Sequence, residues 1–232
     1  MTKSRKDVIR LGGVVSCGRL YLQDLEFTML DGSKVVVQKT RKDDIDMADL
    51  IARHKGRYSL VGLFCRPGYR VLDFPCGSGY AADILKEFGI IYEGRELAPP
   101  TLEYASRIYG RPTAKFKSGD LCNPGLGNEK YDVIACIEGF EHIDKEYQGP
   151  LIEKLKKALK TGGILIISSP ESPTGVSGPS LKNQWHKWEL TKADFLSLLY
   201  SHFDNQDVEL VTHKATLHTG ERTTCFYGIC HK

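Results

Sequence analysis

Arg70-Val71-Leu72-Asp73-Phe74-Pro75-Cys76-Gly77-Ser78-Gly79-Tyr80, running on into Ala81-Ala82-Asp83-Ile84-Leu85-Lys86-Glu87-Phe88-Gly89, is the stretch that decides the fold. A short apolar run meets an acidic residue and a tight small-residue turn, after which Ala81, Ile84, Leu85 and Phe88 recur at helical spacing. Strand, glycine turn and helix follow in that order. Gly77 and Gly79 tolerate positive φ and carry no Cβ, so a ligand can approach the backbone closely there. Asp73, at the carboxyl end of the strand, stands where an open parallel sheet binds its ligands. The usual phosphate loops are excluded, because neither Gly-x-x-x-x-Gly-Lys nor a complete Gly-x-Gly-x-x-Gly is present.

This stretch resembles motif I of the class I S-adenosylmethionine-dependent methyltransferases, in which a strand ends in Asp, two residues, a small residue, Gly, any residue and Gly. The resemblance implies that Asp73, Phe74, Pro75, Cys76, Gly77 and Gly79 lie against the cofactor, S-adenosylmethionine or its product S-adenosylhomocysteine. Pro75 stands where such families more often carry a small residue.

The 232 residues, 41% hydrophobic and 26% charged, suffice for one good core. A net charge of +3 without a dense basic cluster argues against nucleic-acid binding on electrostatics alone. Seven cysteines are scattered without a CxxC pair, and no signal peptide or long apolar segment is evident, so a soluble cytoplasmic protein without a zinc site is expected.

Two units are expected: an N-terminal extension, residues 1–45, and a catalytic unit, residues 46–232. Residues 1–10 open on a charged stretch and read as frayed. Residues 25–30 and 35–38 flank Asp31-Gly32, a hairpin signal. Lys39-Thr40-Arg41-Lys42-Asp43-Asp44 reads as a charged linker, and Met47, Leu50, Ile51, Leu60, Val61 and Phe64 as one or two helical turns. His54-Lys55-Gly56-Arg57-Tyr58 is similar to a His-x-x-Arg-Tyr that precedes motif I in one branch of these enzymes; a solvated helix face is the competing reading.

Strand and helix then alternate: strands at 90–94, 114–117 and 131–137, and a helix over 102–109. An amphipathic helix follows with Leu151, Ile152, Leu155, Ala158 and Leu159 on one face, closed by Gly162-Gly163. Ile164-Leu165-Ile166-Ile167 is apolar enough for a strand buried on both faces. A loop rich in Pro, Ser and Gly spans 168–180. Thr191 and Asp194 make a capping box for the next helix, and residues 208–211 and 223–230 a closing antiparallel pair. The fold class is α/β: a Rossmann-like, doubly wound, seven-stranded sheet with an antiparallel last strand, plus the N-terminal β-hairpin.

The same resemblance gives Glu96, beside Leu97, the ribose hydroxyls, and gives Asp120, beside Leu121, the adenine. A carboxylate accepting paired hydroxyls makes strong hydrogen bonds. Glu138-Gly139-Phe140-Glu141-His142 looks like motif IV of the branch with Glu-x-x-Glu-His, which puts Glu138 near the cofactor and makes Glu141 and His142 candidate bases beside the acceptor. Bracing of the following helix is the bland alternative. Asn183-Gln184-Trp185-His186-Lys187-Trp188-Glu189-Leu190-Thr191 is similar to the Asn-x-x-His-x-x-Glu-x-Thr loop that covers the acceptor pocket. His186 then joins the catalytic candidates, and Trp185 and Trp188 become a pocket wall or lid.

The expected function is methyl transfer from S-adenosylmethionine to a small-molecule or sugar-like hydroxyl. One alternative is a metal-dependent RNA ribose 2′-O-methyltransferase, holding Mg²⁺ or Mn²⁺ on Glu138, Glu141, His142 and His186. Another is a partner protein that binds the cofactor without turnover. A site without metal, a small-molecule acceptor, no membrane and no nucleic acid are the working expectations, with homodimerisation open.

Overall fold

The structure, a computed structural model, describes residues 8–14, 19–41, 47–216 and 222–232. Residues 1–7, which include most of the charged start, and residues 42–44 of the expected linker lie outside the described residues. The chain begins with β1 (Val8–Val14), β2 (Leu25–Thr28), β3 (Lys34–Arg41) and α1 (Met47–Gly62). Then come β4 (Arg70–Asp73), α2 (Ala81–Leu85), β5 (Ile91–Glu96), α3 (Pro99–Tyr109), β6 (Ala114–Ser118) and β7 (Tyr131–Cys136). It closes with α4 (Lys145–Ala158), β8 (Leu159–Pro170), α5 (Lys192–Tyr200), β9 (Val208–Thr216) and β10 (Arg222–His231).

Seven strands form one sheet in the order β6-β5-β4-β7-β8-β10-β9. Only β10 runs antiparallel to its neighbours, inserted between β8 and β9. The expected Rossmann-like architecture is therefore present. The apolar strands sort their side chains onto two faces by the two-residue period of a strand. Leu72, Ile134, Leu165, Ile167 and Phe226 join one buried cluster with residues of α4 and α5. Val71, Val133, Ala135, Ile166 and Tyr227 join the other, with residues of α1, α2 and α3.

The hairpin of β2 and β3 turns on Gly32, whose φ is 84°, while the Asp31 carboxylate accepts from the Ser33 amide and hydroxyl at 2.9 and 2.6 Å. Three local expectations need correction. Residues 8–10, read as frayed, belong to β1, which pairs in parallel with β3 and makes a three-stranded sheet of the hairpin. Residues 39–41 are strand rather than linker: Thr40 is 1% exposed and exchanges hydrogen bonds with the Tyr21 backbone. The one or two turns after residue 47 are a helix of 16 residues.

Further along, α4 stops before the glycine pair because Leu159 already pairs with Tyr131 as the first residue of β8. Gly163 sits within that strand, and a Cβ there would lie 3.1 Å from the Asp132 carbonyl. Strand β8 also takes Ser168 and Ser169, both fully buried, so the loop begins later than the composition suggested. Thr191 caps α5 as expected, accepting from the Asp194 amide at 3.2 Å.

The two glycines of the opening stretch have different tasks. Gly77, φ 52°, has no atom of the described residues within 4 Å of where a Cβ would be. Gly79, φ 84°, sits where a Cβ would meet Ala105 at 2.7 Å and Phe116 at 2.8 Å. Gly79→Ala is expected to cost about 2–4 kcal/mol, from positive-φ strain and overpacking together. Urea denaturation checks this; an unchanged midpoint would refute the tight packing of α3 against the turn.

Candidate active site

The carboxyl ends of β4, β5 and β7 enclose a cavity of about 470 Å³, where an open parallel sheet leaves a crevice. Phe74, Pro75, Cys76 and Gly77 line it, but Asp73 and Gly79 do not. Asp73 lies one layer behind the wall, fully buried, where Tyr58 of α1 donates to one carboxylate oxygen at 3.1 Å and Tyr92 of β5 to the other at 2.6 Å. Burial pushes its carboxyl up to about 7, against the lowering effect of the two tyrosine hydroxyls. Pro75 finds room because Gly139 faces it: a Cβ on Gly139 would collide with the proline ring.

Glu96, at the end of β5, lines the cavity at 2% exposure. Its Oε1 accepts from the Arg19 guanidinium at 2.8 Å and from the Ala98 amide at 3.0 Å. Leu97 beside it is 61% exposed and also lines the cavity, as do Asp120 and Leu121. Asp120 accepts from the Cys122 amide at 2.9 Å, an Asx turn that aims the loop after β6.

The opposite end of the cavity is built after β7. Glu138 has φ 51°, a conformation that non-glycine residues keep only where their surroundings enforce it. Its Oε1 accepts from Ser168 at 3.2 Å and from the Cys225 thiol at 2.9 Å, and its Oε2 lies 3.3 Å from Arg57. Burial would raise the Glu138 carboxyl, but Arg57 and those two donors outweigh it and hold it low. Burial would lower the Arg57 guanidinium; Glu138 facing it raises it instead. His54 hydrogen-bonds the Tyr80 hydroxyl at 2.9 Å, and burial with the Arg57 charge pulls it down to about 3, so it is neutral.

Glu141 is 1% exposed and its Oε2 has no hydrogen-bond partner among the described residues. Burial, then the charge of Glu138, pushes its carboxyl well up. His142 places Nδ1 2.8 Å from the Trp185 carbonyl, so that nitrogen carries the proton and Nε2 keeps its lone pair. Burial pulls its imidazole down, against the Trp185 carbonyl. His186 sets Nδ1 2.6 Å from Glu189, and its ring stands edge-on to His142 with centroids 5.0 Å apart. One ligand atom from each of Glu141, His142 and His186 falls within 4.8 Å of the others. Glu138 is outside that cluster, engaged by Arg57.

Each catalytic candidate, Glu141, His142 and His186, thus lines one cavity with Glu138. The amides of Lys187 and Trp188 donate to the Glu141 carbonyl at 2.7 and 3.2 Å, which pins the covering loop onto motif IV. Trp185, 51% exposed, lines the cavity, whereas Trp188 packs on the core away from the wall. His54, Arg57 and Tyr58 also line it, so that face of α1 is not solvated. Arg19, Leu20 and Tyr80 line the wall too, and no sequence signal pointed to them.

Residues 38–215 match the family model described as a methyltransferase domain. The chain therefore belongs to the methyltransferase-domain family, a family of enzymes. Over 167 residues it is 27% identical to a probable S-adenosylmethionine-dependent methyltransferase of Mycolicibacterium smegmatis, a match covering 71% of this chain and 63% of that protein. Over 120 residues it is 28% identical to a ubiquinone biosynthesis O-methyltransferase of Glaesserella parasuis, covering 47% of each. The chain thus spans about half to under two thirds of the length of these curated relatives. The Burkholderia thailandensis 1,6-didemethyltoxoflavin-N1-methyltransferase, solved with 1,6-didemethyltoxoflavin and S-adenosylhomocysteine, is similar in fold: TM-score 0.60 at 16% identity, over 80% of this chain and 83% of that one. No helix among the described residues is long and apolar enough to cross a membrane.

The raised Asp73 carboxyl sets a pH dependence. The folded state holds this proton up to about pH 7, whereas an unfolded aspartate releases it near 3.8. The contribution of Asp73 to stability is therefore fully present below the unfolded value and lost as pH rises toward 7. Between about pH 5 and 8 the wild type should lose stability relative to Asp73→Asn, which cannot ionise, in paired urea titrations. A constant difference between the two would refute the shift.

Proposed function

We propose that the protein transfers a methyl group from S-adenosylmethionine to a hydroxyl of a small-molecule or sugar-like acceptor. The observation that carries this is one cavity with carboxylates after successive strands at one end, Glu96 and Asp120, and two imidazoles at the other, His142 and His186. Family membership and the S-adenosylmethionine-dependent relative support the donor. The ubiquinone biosynthesis O-methyltransferase supports, more distantly, an oxygen acceptor.

In this reading Glu96 accepts the ribose hydroxyls, Asp120 with Leu97 and Leu121 holds the adenine, and residues 74–77 lie against the methionine part. Asp73 acts from behind by keeping the turn in place, and Gly79 by letting α3 pack against it. Glu138, fixed by Arg57 at the far end of the cavity, borders the cofactor there. The donor, when bound, supplies an electrophilic methyl on a good leaving group, so alignment supplies much of the rate. His142 keeps a free Nε2 lone pair to take the acceptor's proton as the new C–O bond forms. His186, oriented by Glu189, is the second candidate for that proton, and Glu141 braces the loop. Residues 46–232 carry this unit, and residues 1–45 form an extension to it.

A second reading has its own observation: the unpartnered Glu141 oxygen beside His142 and His186. Both rings have Nδ1 engaged by an acceptor, the outer-sphere pattern that orients metal-bound histidines. One carboxylate and two imidazoles suit a divalent transition ion such as Mn²⁺. Glu141, His142 and His186 would hold such an ion, whose chemistry there would be to lower the pKa of a ribose hydroxyl, which suits an RNA 3′-terminal 2′-hydroxyl as acceptor.

Titration calorimetry with S-adenosylhomocysteine should give saturable one-site binding. Gly77→Val should lose it through strain at φ 52° and filling of the cavity edge, while His142→Ala should bind normally and turn over at least about 100-fold more slowly, the worth of a general base. No binding by the wild type would sink the donor assignment. For the metal, Mn²⁺ should raise the Tm of the wild type but not of Glu141→Gln; an unmoved wild-type Tm would remove this second reading.

A further inference from the structure

We infer that residues 19–23, which lie ahead of the family match beginning at residue 38, form part of the donor site, and that Arg19 is a positioning residue for Glu96. The inference rests on the donor reading above and adds to it a segment from outside the matched region.

The segment is fastened to the glycine turn, to the end of β5 and to α3, three parts of the cofactor end of the cavity. Ser78, between the two glycines of the turn, donates to the Leu20 carbonyl at 2.5 Å. The Tyr21 hydroxyl lies 2.9 Å from Thr101 Oγ1 in the first turn of α3, and its ring meets Tyr104 edge-on at 5.0 Å. Tyr104 in turn donates to the Gln23 carbonyl at 3.0 Å. On its other side, the Tyr21 amide donates to the Thr40 hydroxyl and the Tyr21 carbonyl accepts from the Thr40 amide, which ties the segment to β3 and the three-stranded sheet. Leu20, 2% exposed, and Arg19 then complete the cavity wall.

The chemistry of Arg19 is specific. Glu96 is a carboxylate at 2% exposure, and a buried charge needs a partner. Arg19, 35% exposed, supplies it from the solvent side at 2.8 Å. The Arg19 contact and the Ala98 amide both fall on Oε1, which fixes the carboxylate where it lines the cavity and can meet a ligand diol. Charge-assisted bonds of this kind hold geometry as well as energy. Arg19 therefore orients the group that reads the ribose without touching the reacting atoms. Because the segment is continuous with the three-stranded sheet, docking of that sheet and affinity for the donor are coupled.

The test compares S-adenosylhomocysteine with its 2′-deoxy analogue by calorimetry on the full chain, for wild type, Arg19→Ala, Arg19→Lys, Glu96→Gln and the Arg19→Ala/Glu96→Gln double variant. The wild type should prefer the ligand that carries the hydroxyl. Arg19→Ala should weaken that ligand about tenfold and shrink the preference, while lowering the melting temperature of the ligand-free protein because the Glu96 carboxylate loses its partner. Arg19→Lys should recover part of both, and the double variant should bind no more weakly than Glu96→Gln alone. Equal weakening of the two ligands, no weakening at all, or losses that multiply in the double variant would overturn the inference while leaving the donor reading intact. A wild type that binds neither ligand would overturn both.

Discussion

A single buried carboxyl organises the centre of this molecule. Asp73 ends the strand in the middle of the sheet with no solvent access, and a polar group placed there must be satisfied by protein. Tyr58 reaches it from α1 and Tyr92 from β5, so one side chain holds a helix and two strands in register. The peptide after Asp73 is where the glycine turn begins, and its position relative to β5 and α1 is set by that clasp. The loops after β5, β6 and β7 are built outward from this point, each presenting a carboxylate to the same cavity.

Around the clasp, small residues are used for space rather than for sequence identity. Gly79 lets α3 and β6 approach the turn, with Ala105 and Phe116 occupying the volume a side chain would take. Gly77 lines the cavity, with no atom of the described residues where a Cβ would stand. Gly139 gives up its Cβ to the Pro75 ring, so an unusual residue in the first loop is accommodated by a glycine 64 residues further on. Close packing makes each of these a local requirement, since interiors leave few voids to absorb a methyl group.

The far end of the cavity is an arrangement of charges whose partners come from distant parts of the chain. Glu138 stays ionised because Arg57 of α1, Ser168 of β8 and Cys225 of β10 converge on it. Glu141, three residues on and more deeply buried, has one oxygen without a partner among the described residues and is pushed toward its neutral form. Two carboxylates so close together are set apart by their surroundings, a pattern that marks sites where protons or cations are handled. The two imidazoles beside them each have Nδ1 committed, to the Trp185 carbonyl and to Glu189, an orientation that suits either a base or a metal ligand.

Much of this was legible in the sequence because it rests on local periodicity. Alternation of apolar strands with amphipathic helices fixes a doubly wound sheet, and the glycine turn after Asp73, the carboxylates at Glu96 and Asp120, and Glu141-His142 all sit where a strand ends. What only the tertiary structure decided depends on contacts between residues far apart along the chain. Sequence could not reveal that Asp73 faces two tyrosines instead of the cavity, because Tyr92 is 19 residues away and the choice between neighbour and solvent is made by packing. It could not join Arg19 to Glu96 across 77 residues, nor move Trp188 out of the wall. Nor did it show that β1 runs parallel to β3, since a strand this short gains its stability from the partner and not from its own residues. Local pattern specified which elements form; long-range burial and hydrogen-bond satisfaction specified which side chains meet.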